Sequence, residues 1–256
     1  MISNDKGFSQ LETVLAVIVI ALITTVGVYV YNSKNNKSKA NNEITAEQIN
    51  AETPTAPDGL VPTKEEQVQA NNAEVQLDSE AKSLMARSAS LKPGSSEFRT
   101  TTAKASSAST RSKMMRIAKT QIGIRENGID NQGGPERYQY YTYRYHGDRC
   151  WHSAWCASFV TWVHRQATGS NSLNDCYIPY LKNQAGNRYH RNISDGGLRP
   201  GDIIFRDGAH TGIYVSGTRD KATTIEGNVG TPAGGRDSVT QKTRYYSYWS
   251  GGYIAL

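Results

Sequence analysis

Three residues of this sequence, a cysteine, a histidine and a glutamate, each lie at one end of a regular stretch and together could do nucleophilic chemistry. In Trp155-Cys156-Ala157-Ser158-Phe159-Val160-Thr161-Trp162-Val163 the apolar residues Phe159, Val160, Trp162 and Val163 recur at helical spacing and can share a buried face. Cys156 then falls on the first turn. Free N–H groups and the macrodipole favour an anion there, and the thiolate is the nucleophilic form of cysteine. A buried cysteine opening a core helix would look the same locally, since free Cys is among the most buried residue types. The difference lies downstream. Gly201-Asp202-Ile203-Ile204-Phe205 reads as a strand after a turn, and His210-Thr211-Gly212-Ile213-Tyr214-Val215 as a strand opening on a histidine. Thr224-Ile225-Glu226-Gly227-Asn228 ends a third strand with a carboxylate and an amide. His210 is placed to take the thiol proton, and Glu226 or Asn228 to orient its ring. Residues i and i+2 of a strand share a face, so spacing leaves both open.

The other candidates are weaker. His152 lies four residues before Cys156 on a loop and is the rival base; His164, further along the helix, reads as a surface or helix-end residue. No paired CxxC and no HExxH spacing is present, so neither a metal nor another cofactor is expected. Tyr138, Tyr140, Tyr141, Tyr143 and Tyr145 suit packing, with a fraction lining a groove for sugars or peptide planes.

The elements that must position these residues read as helices first and an antiparallel sheet after, an α+β domain. Ser112 caps a helix through Met114, Met115, Ile117, Ala118 and Ile122, ending at Gly123. Residues 126–134 form a Gly/Asn/Asp loop, and Pro135 starts a short helix through Tyr145. Residues 237–244 and 253–256 supply the closing strands. Residues 112–256 hold 18 Lys and Arg against 11 Asp and Glu, a formal +7, while the remainder is near neutral. That charge suggests an anionic partner such as wall polymer or a membrane surface. No nucleic-acid motif and no tight basic run is present, so nucleic acid is not expected.

Residues 14–31 carry no formal charge and are almost all apolar, close to the length a bilayer core requires. Val28-Tyr29-Val30-Tyr31 follows where a cleaved signal would show small residues, and aromatics suit a membrane interface. Lys6-Gly7-Phe8-Ser9-Gln10-Leu11-Glu12 resembles the leader of type IV pilins and pseudopilins. That resemblance implies a 1–7 leader cut by a prepilin peptidase before Phe8, and a membrane helix over 8–31. It also implies a partner for Glu12 in the N-terminal amine of a neighbouring pilin subunit. Lys34, Lys37 and Lys39 after the helix argue for a cytoplasmic C-terminus; the resemblance and an extracytoplasmic substrate argue for export, which we favour. Residues 32–111 read as a flexible linker with a helix over 64–91, turning to Ser/Thr/Ala from Lys92 to Ser112.

Residues 112–256 resemble the CHAP domain, the cysteine- and histidine-dependent amidohydrolase/peptidase of bacterial and phage cell-wall enzymes. Four blocks occur in the family's order: Ala118 to Glu126, Trp155 to Val160, Gly201 to Phe205 with His210 to Val215, and Ile225 to Asn228. The resemblance implies a papain-like fold, a catalytic set of Cys156, His210, Glu226 and Asn228, and no metal. Papain-like logic adds Gln121 as an oxyanion donor. No Asp-rich loop is evident, so no calcium is expected. With Cys156 at the motif, Cys150 and Cys176 remain as a disulfide pair of an exported chain, worth about 3 kcal/mol in a chain-entropy account. The implied function is a membrane-anchored, extracytoplasmic peptidoglycan hydrolase. It would act as an N-acetylmuramoyl-L-alanine amidase or a stem or cross-bridge endopeptidase, with peptidoglycan as partner. The alternative is a non-catalytic minor pilin or adhesin whose head binds wall.

Overall fold

The computed structural model describes residues 62–126, 136–151, 153–195, 197–230 and 236–256. The leader-like segment, the apolar run over 14–31 and His152 lie outside the described residues. Among the described residues, no helix is long and apolar enough to cross a membrane.

Helix α1 spans Lys64–Ser90 and α2 spans Ser96–Lys119. Thr63 and Glu66 form a capping box at the start of α1, and Ser95 caps α2 by accepting from the Phe98 N–H. The linker expected over 92–111 is therefore corrected: residues 96–119 are one helix, and Ser112 lies in its interior rather than at its cap. The reason is the kind of residue buried. Ala70, Ala73, Leu77 and Ala81 make a stripe along α1, and Thr101, Ala105, Ala108 and Ser112 make another along α2. Small residues at spacings of three and four let two helix backbones approach closely, yet they contribute almost nothing to a hydrophobic pattern. Polar links keep the pair antiparallel: Lys119 to Glu74 at 2.8 Å, Arg87 to Glu97 at 2.7 Å, and a Ser112–Asp78 hydrogen bond.

This hairpin belongs to the same compact unit as the sheet, residues 54–256. Arg111 makes a buried 3.0 Å ion pair with Asp202, whose carboxylate also accepts from the Arg199 and Leu256 N–H groups. The opening segment of the predicted catalytic domain is thus the last third of α2.

Helix α3 (Glu136–His146), α4 (Cys156–Thr168) and α5 (Ile178–Ala185) follow. Among the described residues the six strands are β1 (Tyr189–His190), β2 (Ile203–Arg206), β3 (His210–Gly217), β4 (Lys221–Val229), β5 (Ser238–Tyr245) and β6 (Tyr253–Ile254). They form an antiparallel sheet in the order β1-β6-β2-β3-β4-β5. The class is α+β, as expected. The main core joins Met114, Met115, Phe159, Val160 and Val163 of the helices to Ile203, Phe205, Ile213, Val215 and Ile225 of the sheet. Each such side chain contributes about 1.5–3 kcal/mol of burial. A smaller cluster of Ile204, Tyr214, Ala222 and Trp249 forms a second apolar patch on the sheet.

Candidate active site

Cys156 is the first residue of α4, with Trp155 as a cap that offers no side-chain hydrogen bond. Trp155 is held from three directions. Tyr138 of α3 stacks on it with ring centroids 5.7 Å apart, and its Nε1–H donates to Glu126 Oε2 at 3.2 Å. Gly227 of β4 completes the seat: a Cβ there would lie 2.8 Å from the Trp155 ring and 2.7 Å from Phe159 Cβ. Only a residue without a side chain lets the strand press on the first turn of α4. That contact brings the residue beside Gly227, Glu226, into reach of the helix N-terminus.

His210 is the first residue of β3, and its side chain is 12% exposed. Its Nε2–H donates to Glu226 Oε2 at 2.9 Å, and the Cys156 thiol is close enough to act on the same ring. Burial alone would lower the imidazole's pKa. The bonds to Cys156 and Glu226 outweigh it and raise the value to about 10. Glu226 is fully buried, which alone would raise its pKa; His210 and then Arg244 pull it down to about 2. Gly212, the register partner of Glu226, clears the space for this carboxylate, since a Cβ at Gly212 would lie 2.9 Å from Glu226 Cγ.

The carboxylate is saturated with donors. Arg244 Nε lies 3.1 Å from Oε1 and its Nη2 lies 3.1 Å from Oε2, while the Thr224 hydroxyl donates to Oε1 at 2.6 Å. Arg244 in turn lies 4.3 Å from the centre of the Tyr248 ring, and Trp249 stacks on His210 at 6.3 Å. Trp249 also borders a groove of about 570 Å³ lined by Arg191, Leu198 and Tyr246. The result is a buried chain of contacts, Cys156–His210–Glu226–Arg244. It sets a thiol beside a buried imidazole at a helix N-terminus.

Of the four residues predicted for the site, the structure brings Cys156, His210 and Glu226 together and places Asn228 differently. Strand β4 slips register between Glu226 and Val229, and Asn228 sits there with φ +59°. Asn tolerates this left-handed conformation better than most residues. Its buried Oδ1 has no hydrogen-bond partner, and the contact to His210 is made by Glu226. The bulge is why i and i+2 no longer share a face. Gln121 is also placed otherwise: its Nε2 donates to the Thr120 hydroxyl, and its Oε1 accepts from Tyr138 and Arg137. That is a packing role at the end of α2. His164 is 2% exposed rather than on the surface, and burial followed by the Arg188 charge lowers its pKa to about 4.

Arg244, Thr224 and Glu126 were not legible as site residues. Arg244 lies 18 residues beyond Glu226 on the adjacent strand, opposite Ala222, and reaches the carboxylate diagonally along the sheet face. Cys150 and Cys176 form a disulfide with Cα atoms 5.6 Å apart, flanked by a 2.9 Å Arg149–Asp175 ion pair. Cys150, Asp175 and Cys176 have their ligand-type atoms within 4.8 Å of one another, but both sulfurs are spent in the bridge. Compared with known proteins, the chain matches no family model, no curated protein and no solved structure.

Proposed function

We propose that this protein is a thiol amidohydrolase of the CHAP type that cleaves an amide bond of peptidoglycan. The observation that carries the reading is the buried Cys156–His210–Glu226 contact chain. A wall-binding head would have no need to bury an ionised carboxylate under a histidine that faces a thiol. In this reading the Cys156 thiolate attacks the amide carbonyl, and the His210 imidazolium gives its Nδ1 proton to the leaving amine. Water, deprotonated by the now neutral His210, hydrolyses the thioester and regenerates the thiol pair. Glu226 holds the ring by its other nitrogen and compensates the positive charge. The Cys156 backbone N–H at the start of α4 supplies one oxyanion donor.

The envelope location rests on the apolar run over 14–31 and the pilin-like leader before it. The disulfide supports an oxidising compartment. Anchoring through residues 8–31, processing before Phe8 and association with a type IV pilus-like machine are parts of the same proposal.

The test uses the full-length chain in detergent on isolated sacculi, with released fragments read by mass spectrometry. New amino termini that vanish in Cys156→Ala and His210→Ala support the hydrolase and name the bond. Binding to sacculi with no fragment released by the unmutated chain sinks it in favour of an adhesive role.

A further inference from the structure

One positive charge on the wall of the site is left over once the contact chain is assembled. Arg206 ends β2 and is the register partner of His210 across the β2–β3 hairpin. Directly paired residues put their Cβ atoms about 4.5–5.5 Å apart on one face of the sheet, so Arg206 and His210 leave their strands on the same face. Its guanidinium lies 4.7 Å from the centre of the Tyr248 ring, the same ring that receives Arg244 at 4.3 Å. Arg244 is compensated by Glu226. Arg206 is exposed and pairs with no carboxylate among the described residues. The acid next to it in sequence, Asp207, is engaged by Lys182 at 3.4 Å.

A guanidinium laid on an aromatic ring is restricted in its rotamers and presents its donor edge in a fixed plane. Such a fork matches a carboxylate in a bidentate way. The formal +7 of residues 112–256 draws anionic ligands towards the same domain.

We propose that Arg206 is the specificity-determining residue of this site and binds a substrate carboxylate placed next to the scissile amide. Resting on the amidohydrolase reading, this selects stem peptides whose γ-linked glutamate keeps a free α-carboxylate over stems in which that group is amidated.

Binding separates this assignment from catalysis. Full-length Cys156→Ala chain in detergent is titrated calorimetrically with N-acetylmuramoyl-L-alanyl-γ-D-glutamyl-L-lysine and with its α-carboxamide counterpart. The free carboxylate form is expected to bind about fivefold more tightly, the strength of one partly exposed charged pair. Arg206→Gln in the same background abolishes the difference, and Arg206→Lys keeps part of it. Equal affinity for the two forms, no binding of either, or a preference that survives Arg206→Gln overturns the assignment. Arginine-dependent discrimination by a chain that releases nothing from sacculi would sustain the carboxylate site and sink the hydrolase.

Discussion

At the scale of single residues, the site is a competition between desolvation and charge pairing. Glu226 has no solvent exposure and is acceptable only because His210, Arg244 and Thr224 all donate to it. Removing one partner should cost more than removing both. Arg244→Leu should destabilise the fold by about 3 kcal/mol, and the double variant Arg244→Leu/Glu226→Leu by less than the sum of the single changes. Urea unfolding of the four proteins checks this. The pKa directions set a pH range. Glu226, held down to about 2, contributes stability that is fully present above its unfolded value near 4.5 and lost as pH falls through about 2. His210, raised to about 10, contributes stability that is fully present below its unfolded value near 6.5 and lost as pH rises through about 10. The network is therefore strongest in mildly acidic solution, and the alkaline limb of hydrolysis should follow His210. Glu226→Gln removes one of the two raising influences, so that limb should move to lower pH. A pH–rate profile of the variant checks it; an unmoved limb would remove Glu226 from this role.

Between elements, the decisive contact is the seat of β4 on the first turn of α4. Gly227→Ala should push on Trp155 and Phe159 at a cost of about 1–3 kcal/mol, with turnover falling more than affinity because the sulfur moves relative to His210. Thermal unfolding and the separation of kcat from KM give the two readouts. This scale also shows what sequence patterns carried. The α4 helix was legible because Phe159, Val160 and Val163 are large, apolar and periodic. The strands carrying His210 and Glu226 were legible because β-branched residues run between turns. The part of α2 before Ser112 was missed because its buried stripe is Thr and Ala, which composition assigns to a linker, whereas the stretch from Met114 to Ala118 was read as helix. Arg244 was missed because register between neighbouring strands leaves no local trace. The Asn228 displacement comes from a one-residue slip that no alternation pattern records.

For the molecule as a whole, the folded unit begins earlier than residue 112. A chain starting at Ser112 would lack α1 and most of α2, cut the helix inside its buried stripe and lose Arg111, the partner of buried Asp202. Such a chain should fail to give a cooperative thermal transition, whereas residues 62–256 should give one at the temperature of the same unit in the full chain. Circular dichroism melting of the two fragments decides. A cooperative melt from the shorter one would restore the smaller domain.

The sequestration of Cys156 has a consequence for biogenesis. The chain holds three cysteines, and any two could be bridged while it is unfolded. Only the Cys150–Cys176 pairing leaves the nucleophile free, and Cys150 lies much closer in sequence to Cys156 than to its proper partner. Nothing chemical in the unfolded state favours the right choice. The discrimination comes from packing, since Gly227 of β4 seats on Trp155 and Phe159, fixes the first turn of α4 and leaves Cys156 only 4% exposed. Order of events becomes part of the design: the helix must dock on its strand before the oxidant arrives, or Cys156 is locked in a bridge.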